Sequence, residues 1–293
     1  MSKIGINEKS LPYDLPWSEK LALAKEEGYS FVELSIDETE ERLARLDWSK
    51  EERLAIVRAV YNVGIPIDTM MLSTLRKTPL GSEDDQIYEQ AYLICRKAIL
   101  LACDLGVRNI QIAGYDEYYG KKTVLTRENF IENLQRVVDF AAENQVMIAV
   151  ETMDDSFMNS ISKIRTIKET IKSPWLQTYP DLGNISAWPE NNPSLDLESG
   201  LESIVSIHLK DTLSVTANTP GKFKDVGFGS GQVNFLGLLK TLKRIGYQGT
   251  YTVEMWNERR PDAVNQMRYA RAFFEQLFKK ANIVLEDEYV RRS

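Results

Sequence analysis

The sequence has few of the residues that many metal and redox sites require. Its 293 residues include two cysteines, Cys95 and Cys103, and a single histidine, His208. The cysteines lie in one segment of helical periodicity, where a rise of about 1.5 Å per residue keeps them too far apart for a disulfide. The sequence therefore excludes a disulfide framework, a four-cysteine zinc site and any mechanism that needs two histidines.

The chain also lacks an excess of positive charge and a long apolar run. Lys and Arg total 36 against 43 Asp and Glu, so the formal net charge is −7. That balance disfavours a nucleic-acid partner, because neutralising phosphates needs a basic face. No apolar run approaches the ~18 residues of a membrane span, and residues 1–20 contain no apolar signal core. We therefore expect no nucleic-acid or membrane partner and a cytoplasmic location.

Short apolar segments alternate with segments of helical periodicity along the chain. Eight segments rich in β-branched and aromatic residues are typical of buried parallel strands. They are residues 4–7, 31–36, 65–72, 108–113, 146–151, 176–181, 204–209 and 250–256. Eight strand–helix alternations over ~250 residues predict an α/β fold, a (β/α)8 TIM barrel that forms one domain over residues 1–293. Residues 282–293 are expected to be a peripheral tail.

Helices are predicted between the strands, and their ends carry recognisable signals. The predicted ranges are 17–28, 49–63, 84–105, 126–144, 161–171, 195–203, 235–245 and 262–280. Ser49 is the expected N-cap of the second helix, and Ser82, with Asp85 three residues later, that of the third. An open doubly wound sheet is the alternative fold. It is disfavoured because the turn after the first strand has no glycine-rich motif.

Ionisable residues stand at the carboxyl ends of four successive predicted strands. Glu151 ends the fifth strand, Asp181 ends the sixth, His208 lies on the seventh and Glu254 on the eighth. We call these four residues the mouth cluster, because the carboxyl ends of barrel strands meet at one mouth, where active sites lie. Burying three acids together is costly unless a cation compensates. The pattern predicts one divalent metal ion, and its ligand types suit Zn²⁺, Mn²⁺, Co²⁺ or Mg²⁺.

Each member of the mouth cluster also has a purely structural interpretation. A single histidine at a strand end is often a hydrogen-bonded core residue, and a glutamate there is often a salt-bridge partner. Asp181 precedes Leu182-Gly183-Asn184 and could be an Asx-turn residue. The occurrence of four such residues on four successive strands favours a shared site.

Several motifs in the chain resemble the sugar-phosphate 3-epimerase branch of the xylose-isomerase-like barrels. They are NEK at 7–9, VELSIDE at 32–38, PLGSEDD at 79–85, AGYD at 113–116, MNSISK at 158–163, YPDLGN at 179–184, VSIHLKD at 205–211, FGSG at 228–231 and VEMW at 253–256. The resemblance covers nearly the whole chain. It implies that the mouth cluster binds the metal and that Glu151 and Glu254 exchange protons with the substrate.

The resemblance also implies a substrate, a phosphorylated ketopentose. The implied reaction interconverts L-ribulose 5-phosphate and L-xylulose 5-phosphate, as in bacterial ascorbate utilisation, and a homo-oligomer is a further expectation. Free-sugar 3-epimerases of the wider superfamily carry a second glutamate six residues after the first and a histidine three residues after the aspartate. This chain has Phe157 and Asn184 at those positions, which fits the sugar-phosphate branch.

A 5-phosphate requires donors near the barrel mouth. Lys210, Lys224 and Arg76 are the candidates, since each follows a predicted strand. The glycine-rich segment 227–231 is either a phosphate-binding loop or a structural turn. Trp256, after the eighth strand, is a candidate wall of the sugar site.

Other functions are compatible with the same residues. An aldose–ketose isomerase of this fold, acting on a hexulose or pentulose phosphate, would use the same metal and glutamates. A non-catalytic sugar- or metal-binding protein is a more remote alternative, because the mouth cluster has all four members. A multinuclear endonuclease is excluded by the single histidine and by the net charge of −7.

Overall fold

Eight short parallel strands form a barrel in the computed structural model, which describes residues 1–286. The strands are β1 (Ile4–Asn7), β2 (Phe31–Ile36), β3 (Ile67–Leu72), β4 (Asn109–Ala113), β5 (Met147–Glu151), β6 (Leu176–Tyr179), β7 (Ser206–Leu209) and β8 (Thr250–Val253). Each pairs with its neighbours in the order β6-β5-β4-β3-β2-β1-β8-β7. The predicted barrel is therefore confirmed.

The barrel closes between β6 and β7 through isolated bridges rather than a continuous ladder. The bridged pairs are Thr178–Ile204 and Asp181–His208. The amide of His208 donates to the carbonyl of Pro180 at 2.9 Å, and Pro180 has no N–H with which to continue the ladder. The closing seam thus places two members of the mouth cluster side by side.

Ten α-helices within residues 1–286 connect and surround the strands. They are α1 (Trp17–Glu26), α2 (Glu40–Leu43), α3 (Lys50–Val63), α4 (Asp85–Leu105), α5 (Val124–Glu143), α6 (Ile161–Thr170), α7 (Leu182–Ser186), α8 (Pro193–Gly200), α9 (Phe235–Ile245) and α10 (Ala263–Lys280). The short helices α2 and α7 were not predicted. Both lie in loops after strands, where the apolar stripe is too short to show periodicity.

Side-chain caps explain where two of the helices begin. Ser49 and Glu52 form a reciprocal capping box at the start of α3, as predicted for Ser49. The prediction of Ser82 as the cap of α4 was wrong. Asp84 is the N-cap and accepts hydrogen bonds from the amides of Gln86 and Ile87. The Ser82 hydroxyl instead accepts from the Asp84 amide at 3.1 Å, so it belongs to the preceding turn.

The two ends of the described chain meet at the bottom of the barrel. The Ser2 amide donates to the Val284 carbonyl at 2.9 Å, and the Glu286 amide donates to the Ser2 carbonyl at 3.0 Å. Ile283 and Leu285 are buried. The first part of the expected peripheral tail is therefore packed against the barrel, and residues 287–293 lie outside the described residues.

Two further sequence features are visible in the helices. Cys95 and Cys103 lie on α4, and both are free thiols. No helix within residues 1–286 is long and apolar enough to span a membrane.

Candidate active site

The mouth cluster assembles at the carboxyl ends of β5 to β8. One candidate ligand atom from each of its four residues lies within 4.8 Å of all the others. All four side chains are buried. The strands deliver them to one point because parallel barrel strands end at the same face. Sequence reasoning thus predicted which residues meet, and their role as metal ligands stays a prediction at this stage.

The carboxylate oxygens of the mouth cluster lie close to two nitrogen atoms, one from His208 and one from the neighbouring Lys210. His208 Nδ1 lies 2.8 Å from Glu151 Oε1. The ammonium of Lys210 lies 3.0 Å from Asp181 Oδ2 and 3.4 Å from Glu254 Oε2. Lys210, proposed from the sequence as a substrate residue, is therefore placed against the acids of the cluster.

Asp181 combines the two roles that its sequence context suggested. Its Oδ1 accepts from the Asn184 amide at 2.8 Å and caps α7, while Oδ2 faces the cluster. Asp181 Oδ2 and Glu254 Oε2 are buried and, apart from the ammonium of Lys210 beside them, have no hydrogen-bond partner among the described residues. Buried carboxylate oxygens of this kind are stabilised by a cation. Three carboxylates and one imidazole are a donor set that Zn²⁺, Mn²⁺ or Co²⁺ accepts, so these residues fit a divalent metal.

The two glutamates of the cluster have pKa values shifted in opposite directions. Burial raises the pKa of Glu151 above its usual range. Burial also acts to raise the pKa of Glu254, but Lys210 and His208 outweigh it and hold that pKa below its usual range. Burial, reinforced by the neighbouring Glu254, raises the pKa of Asp181 to about 7.

A second layer of polar side chains holds the cluster from inside the barrel. Gln111, on β4, donates through Nε2 to Glu151 Oε2. Glu33, on β2, accepts from His208 Nε2 at 2.9 Å. Sequence reasoning did not assign either residue a role. The sequence did contain an indication of such a role, because a charged or amide side chain in the middle of a buried strand needs a hydrogen-bond partner.

Positive charge and aromatic rings border the cluster. The ammonium groups of Lys210 and Lys224 lie 5.3 and 5.5 Å from the centre of the Trp256 ring. Half-buried Arg76 places its guanidinium 5.7 Å from the centre of the Tyr115 ring. Partial burial, with the positive charge of Arg76 nearby, lowers the pKa of Lys224. All four residues proposed from the sequence to contact the substrate therefore lie around one mouth.

Within the glycine-rich segment 227–231, two amides serve a structural turn. The amides of Gly229, Gly231 and Val233 donate to the buried carboxylate of Asp211 at 2.9, 3.0 and 3.3 Å. These N–H groups are satisfied within the chain and are not directed at a ligand. The turn lines one side of a cavity of about 210 Å³ that Lys210, Glu254 and Trp256 also line. The cavity therefore opens directly beside the mouth cluster.

Comparison with known proteins agrees with this architecture. Residues 21–277 match the family model described as xylose isomerase-like TIM barrel. The chain is 48% identical to SgbU of Escherichia coli (strain K12) over 282 residues, which cover 96% of this chain and 98% of SgbU. It is 46% identical over 281 residues to UlaE of Escherichia coli O157:H7 (strain EC4115 / EHEC), covering 96% of both chains. That protein is named an L-ribulose-5-phosphate 3-epimerase.

Solved structures with the same fold are more distant in sequence. An L-ribulose 3-epimerase superposes with a TM-score of 0.76 at 16% identity, covering 96% of both chains. The D-allulose 3-epimerase from Methylomonas sp., solved with D-allulose, gives 0.74 at 17% identity and covers 94% of this chain and 96% of that one. Likeness at this level of identity concerns the fold alone, whereas the sequence matches extend over the cluster residues. The chain belongs to the xylose isomerase-like TIM barrel family and, within it, to the family of UlaE and SgbU.

Proposed function

We propose that this chain is a metal-dependent 3-epimerase that interconverts L-ribulose 5-phosphate and L-xylulose 5-phosphate. The observation that carries the proposal is the buried mouth cluster with two glutamates. It occurs in a chain that is 46% identical to a named L-ribulose-5-phosphate 3-epimerase over 96% of its length. We assign Glu151, Asp181, His208 and Glu254 as the ligands of one divalent metal ion, either Zn²⁺, Mn²⁺ or Co²⁺.

The chemistry needs one proton removed from C3 and one returned from the opposite face. The C3 proton is acidified by the neighbouring C2 ketone. A carboxylate takes it, the C3–H electron pair moves into a C2–C3 double bond, and negative charge collects on O2 as an enediolate. When bound, a divalent metal supplies Lewis-acid stabilisation of that charge. Reprotonation of C3 by the second carboxyl, from the other face, inverts the configuration.

Glu151 and Glu254 are the two groups we propose for these transfers. Their place supports the assignment, because both are buried and each directs a carboxylate oxygen into the mouth cluster. After each turnover in one direction, the two glutamates have exchanged protonation states, and the reverse reaction uses them in swapped roles.

The test is proton NMR of L-xylulose 5-phosphate in D₂O with metal-loaded enzyme. Wild type should introduce deuterium at C3 while the ribulo epimer appears, and chelator should stop both. Glu151→Gln and Glu254→Gln should each abolish the exchange, whereas Glu89→Gln, at an exposed position on α4, should not. Normal exchange in both cluster variants contradicts the assignment of the glutamates. Deuterium at C1 or an aldose product indicates the isomerase instead, and a lack of turnover with every metal and ketose phosphate indicates a binding protein.

We propose that Arg76 and Lys224 bind the 5-phosphate, with Lys210 nearby and Trp256 forming a wall of the sugar site. The support is electrostatic, because the pKa of Lys224 is lowered by partial burial and by the charges of Arg76 and Lys210. A phosphate dianion would relieve that repulsion. Neutralising Arg76 and Lys224 should raise KM for the phosphorylated ketopentose and leave KM for the unphosphorylated sugar unchanged. An unchanged KM for the phosphorylated sugar contradicts this assignment.

We also propose that the reaction takes place in the cytoplasm, because a sugar phosphate is a dianion and does not cross a membrane unaided. A homo-oligomer and a single domain over the whole chain stay predictions.

A further inference from the structure

A fully buried glutamate lies directly behind the histidine of the mouth cluster. Glu33, on β2, has no exposed surface, and four donors surround its carboxylate. Oε1 accepts from Thr69 Oγ1 at 2.9 Å and from the Tyr179 hydroxyl at 3.0 Å. Oε2 accepts from Asn7 Nδ2 at 2.6 Å and is paired with His208 Nε2 at 2.9 Å. Each carboxylate oxygen therefore has two partners.

This arrangement places a hydrogen on Nε2 of His208. Asn7 Nδ2 can only donate, and Glu33, as a carboxylate, can only accept. His208 Nε2 must then donate its N–H to Glu33 Oε2. In the metal-free protein both ring nitrogens face carboxylates and can carry a hydrogen. Binding of a divalent metal would displace the hydrogen of Nδ1, and the lone pair of that nitrogen would then serve the ion. Nδ1 is the nitrogen that faces Glu151 Oε1, at 2.8 Å, inside the mouth cluster.

We propose that Glu33 is a positioning residue that holds His208 with its Nε2–H on Glu33 and with Nδ1 facing the mouth cluster, as the nitrogen that binds the divalent metal. A carboxylate that accepts the outer N–H of a ligating histidine fixes the orientation of the ring and makes its free nitrogen a better donor. The inference rests on the metal site of the proposed function. It adds the residue that prepares one ligand of that site before the metal binds.

The carboxylate of Glu33 is itself held in place by the barrel. Asn7, Thr69 and Tyr179 come from β1, β3 and β6, and the Tyr179 hydroxyl also lies 2.8 Å from the Thr252 hydroxyl of β8. Donors from β1, β3, β6 and β7 therefore converge on one side chain. These hydrogen bonds fix the side-chain conformation of Glu33. A residue that orients another residue must itself be held in one conformation.

Metal affinity is the first measurement. Zn²⁺ dissociation constants are obtained by competition with a chromophoric chelator for wild type, Glu33→Gln, Glu33→Met and Thr69→Val. We expect a loss of about 10-fold for Glu33→Gln, which keeps an acceptor without its charge, and approaching 100-fold for Glu33→Met. Thr69→Val removes one donor to Oε1, leaves the Oε2–His208 contact intact and should stay within threefold of wild type. Far-UV circular dichroism of the metal-free variants checks that each has folded.

The single histidine of the chain makes the second measurement unambiguous. Protein labelled with ¹⁵N-histidine gives one imidazole signal set, that of His208. In the Zn²⁺-loaded wild type we expect the N–H on Nε2, shifted downfield by its carboxylate partner, and no hydrogen on Nδ1. Glu33→Gln, the conservative variant, should move this resonance upfield. If Glu33 only supports the fold, Zn²⁺ affinity should be unchanged in any variant that folds, whatever the position of this resonance.

The outcomes separate the inference from the proposed function. An N–H on Nδ1 of the loaded wild type, or Zn²⁺ affinity within twofold of wild type in a folded Glu33→Gln variant, overturns the positioning role. If wild type binds Zn²⁺ through Nδ1 and Glu33→Gln weakens that binding, the inference stands even when no ketose phosphate is turned over. Epimerase activity together with unchanged affinity in Glu33→Gln supports the function and refutes the inference.

Discussion

The buried ion cluster after β1 allows a stability effect to be worked out from the structure. Glu8 is fully buried, with its carboxylate 2.6 and 2.9 Å from the guanidinium of Arg45 and 3.2 Å from the ammonium of Lys20. The Ser35 amide donates to it at 3.0 Å. Burial alone would raise the pKa of Glu8, but Arg45 and Lys20 outweigh it and lower the pKa from 4.5 to about 2.

That shift corresponds to about 3 kcal/mol of unfolding free energy at neutral pH, at 1.36 kcal/mol per pKa unit. The folded pKa lies below the unfolded one, so the stabilisation is fully present above pH 4.5 and is lost as the pH falls towards 2. Glu8→Gln removes it at every pH and leaves buried cations without their partner, a change that costs about 3–5 kcal/mol. We therefore expect a destabilisation of about 3 kcal/mol or more at pH 7 that shrinks below pH 4.5.

The assay is urea unfolding of metal-free protein, followed by circular dichroism between pH 7 and pH 3. Wild type is compared with Glu8→Gln at each pH, because the difference cancels the titration of every other carboxyl. Glu128→Gln, at an exposed position on α5, serves as the control and should track wild type. A difference below about 1 kcal/mol at pH 7, or one that is constant down to pH 3, would refute the reasoning.

Three other predictions concern the rim and the metal. A Cβ at Gly231 would lie 2.0 Å from Asp211 Oδ1, whereas one at Gly227 has no neighbour closer than 3.7 Å. Gly231→Ala should therefore lower kcat/KM and the thermal midpoint while Gly227→Ala preserves both, and equal behaviour would contradict this. Phe228→Ala, in an aromatic cluster beneath the turn, should cost about 3–5 kcal/mol in urea unfolding. Tyr61→Ala, at an exposed position, is its control. Chelator should lower the thermal midpoint and added Zn²⁺ or Mn²⁺ should restore it by mass action; an unmoved midpoint argues against a metal bound to the native state.

The fold could be predicted from the sequence because the strands are buried on both faces. Such strands are short, continuous apolar runs, and β1 and β2 were predicted with the bounds that the structure shows. The predicted ends of other strands extended too far. Residues 254–256 were included in the last strand, but β8 ends at Val253, because its neighbour β7 ends at Leu209 and pairing stops there. Strand length depends on the neighbouring strand, which local sequence does not specify.

Only part of the candidate site could be predicted from the sequence. The mouth cluster could be predicted because a residue at the end of a parallel strand has a known position in a barrel. Glu33 and Gln111 lie inside strands, and which face such a residue occupies follows from strand register and barrel tilt. Lys210 was assigned to the substrate from its position after β7. The contact of its ammonium with Asp181 depends on the path of a long flexible side chain, which spacing along the chain does not determine.

The pairing of β1 with β8 has a consequence for how the protein is made. Ile4 lies opposite Tyr251, and at 5–20 residues per second a ribosome needs roughly 10–50 s to synthesise the chain between two such partners. During that interval one edge of β1 has no neighbour to complete its backbone hydrogen bonds. This is the interval in which a nascent chain can pair with another copy rather than with itself. Slower translation of residues 210–250 would lengthen it, so the yield of folded enzyme should depend on the speed at which these residues are translated.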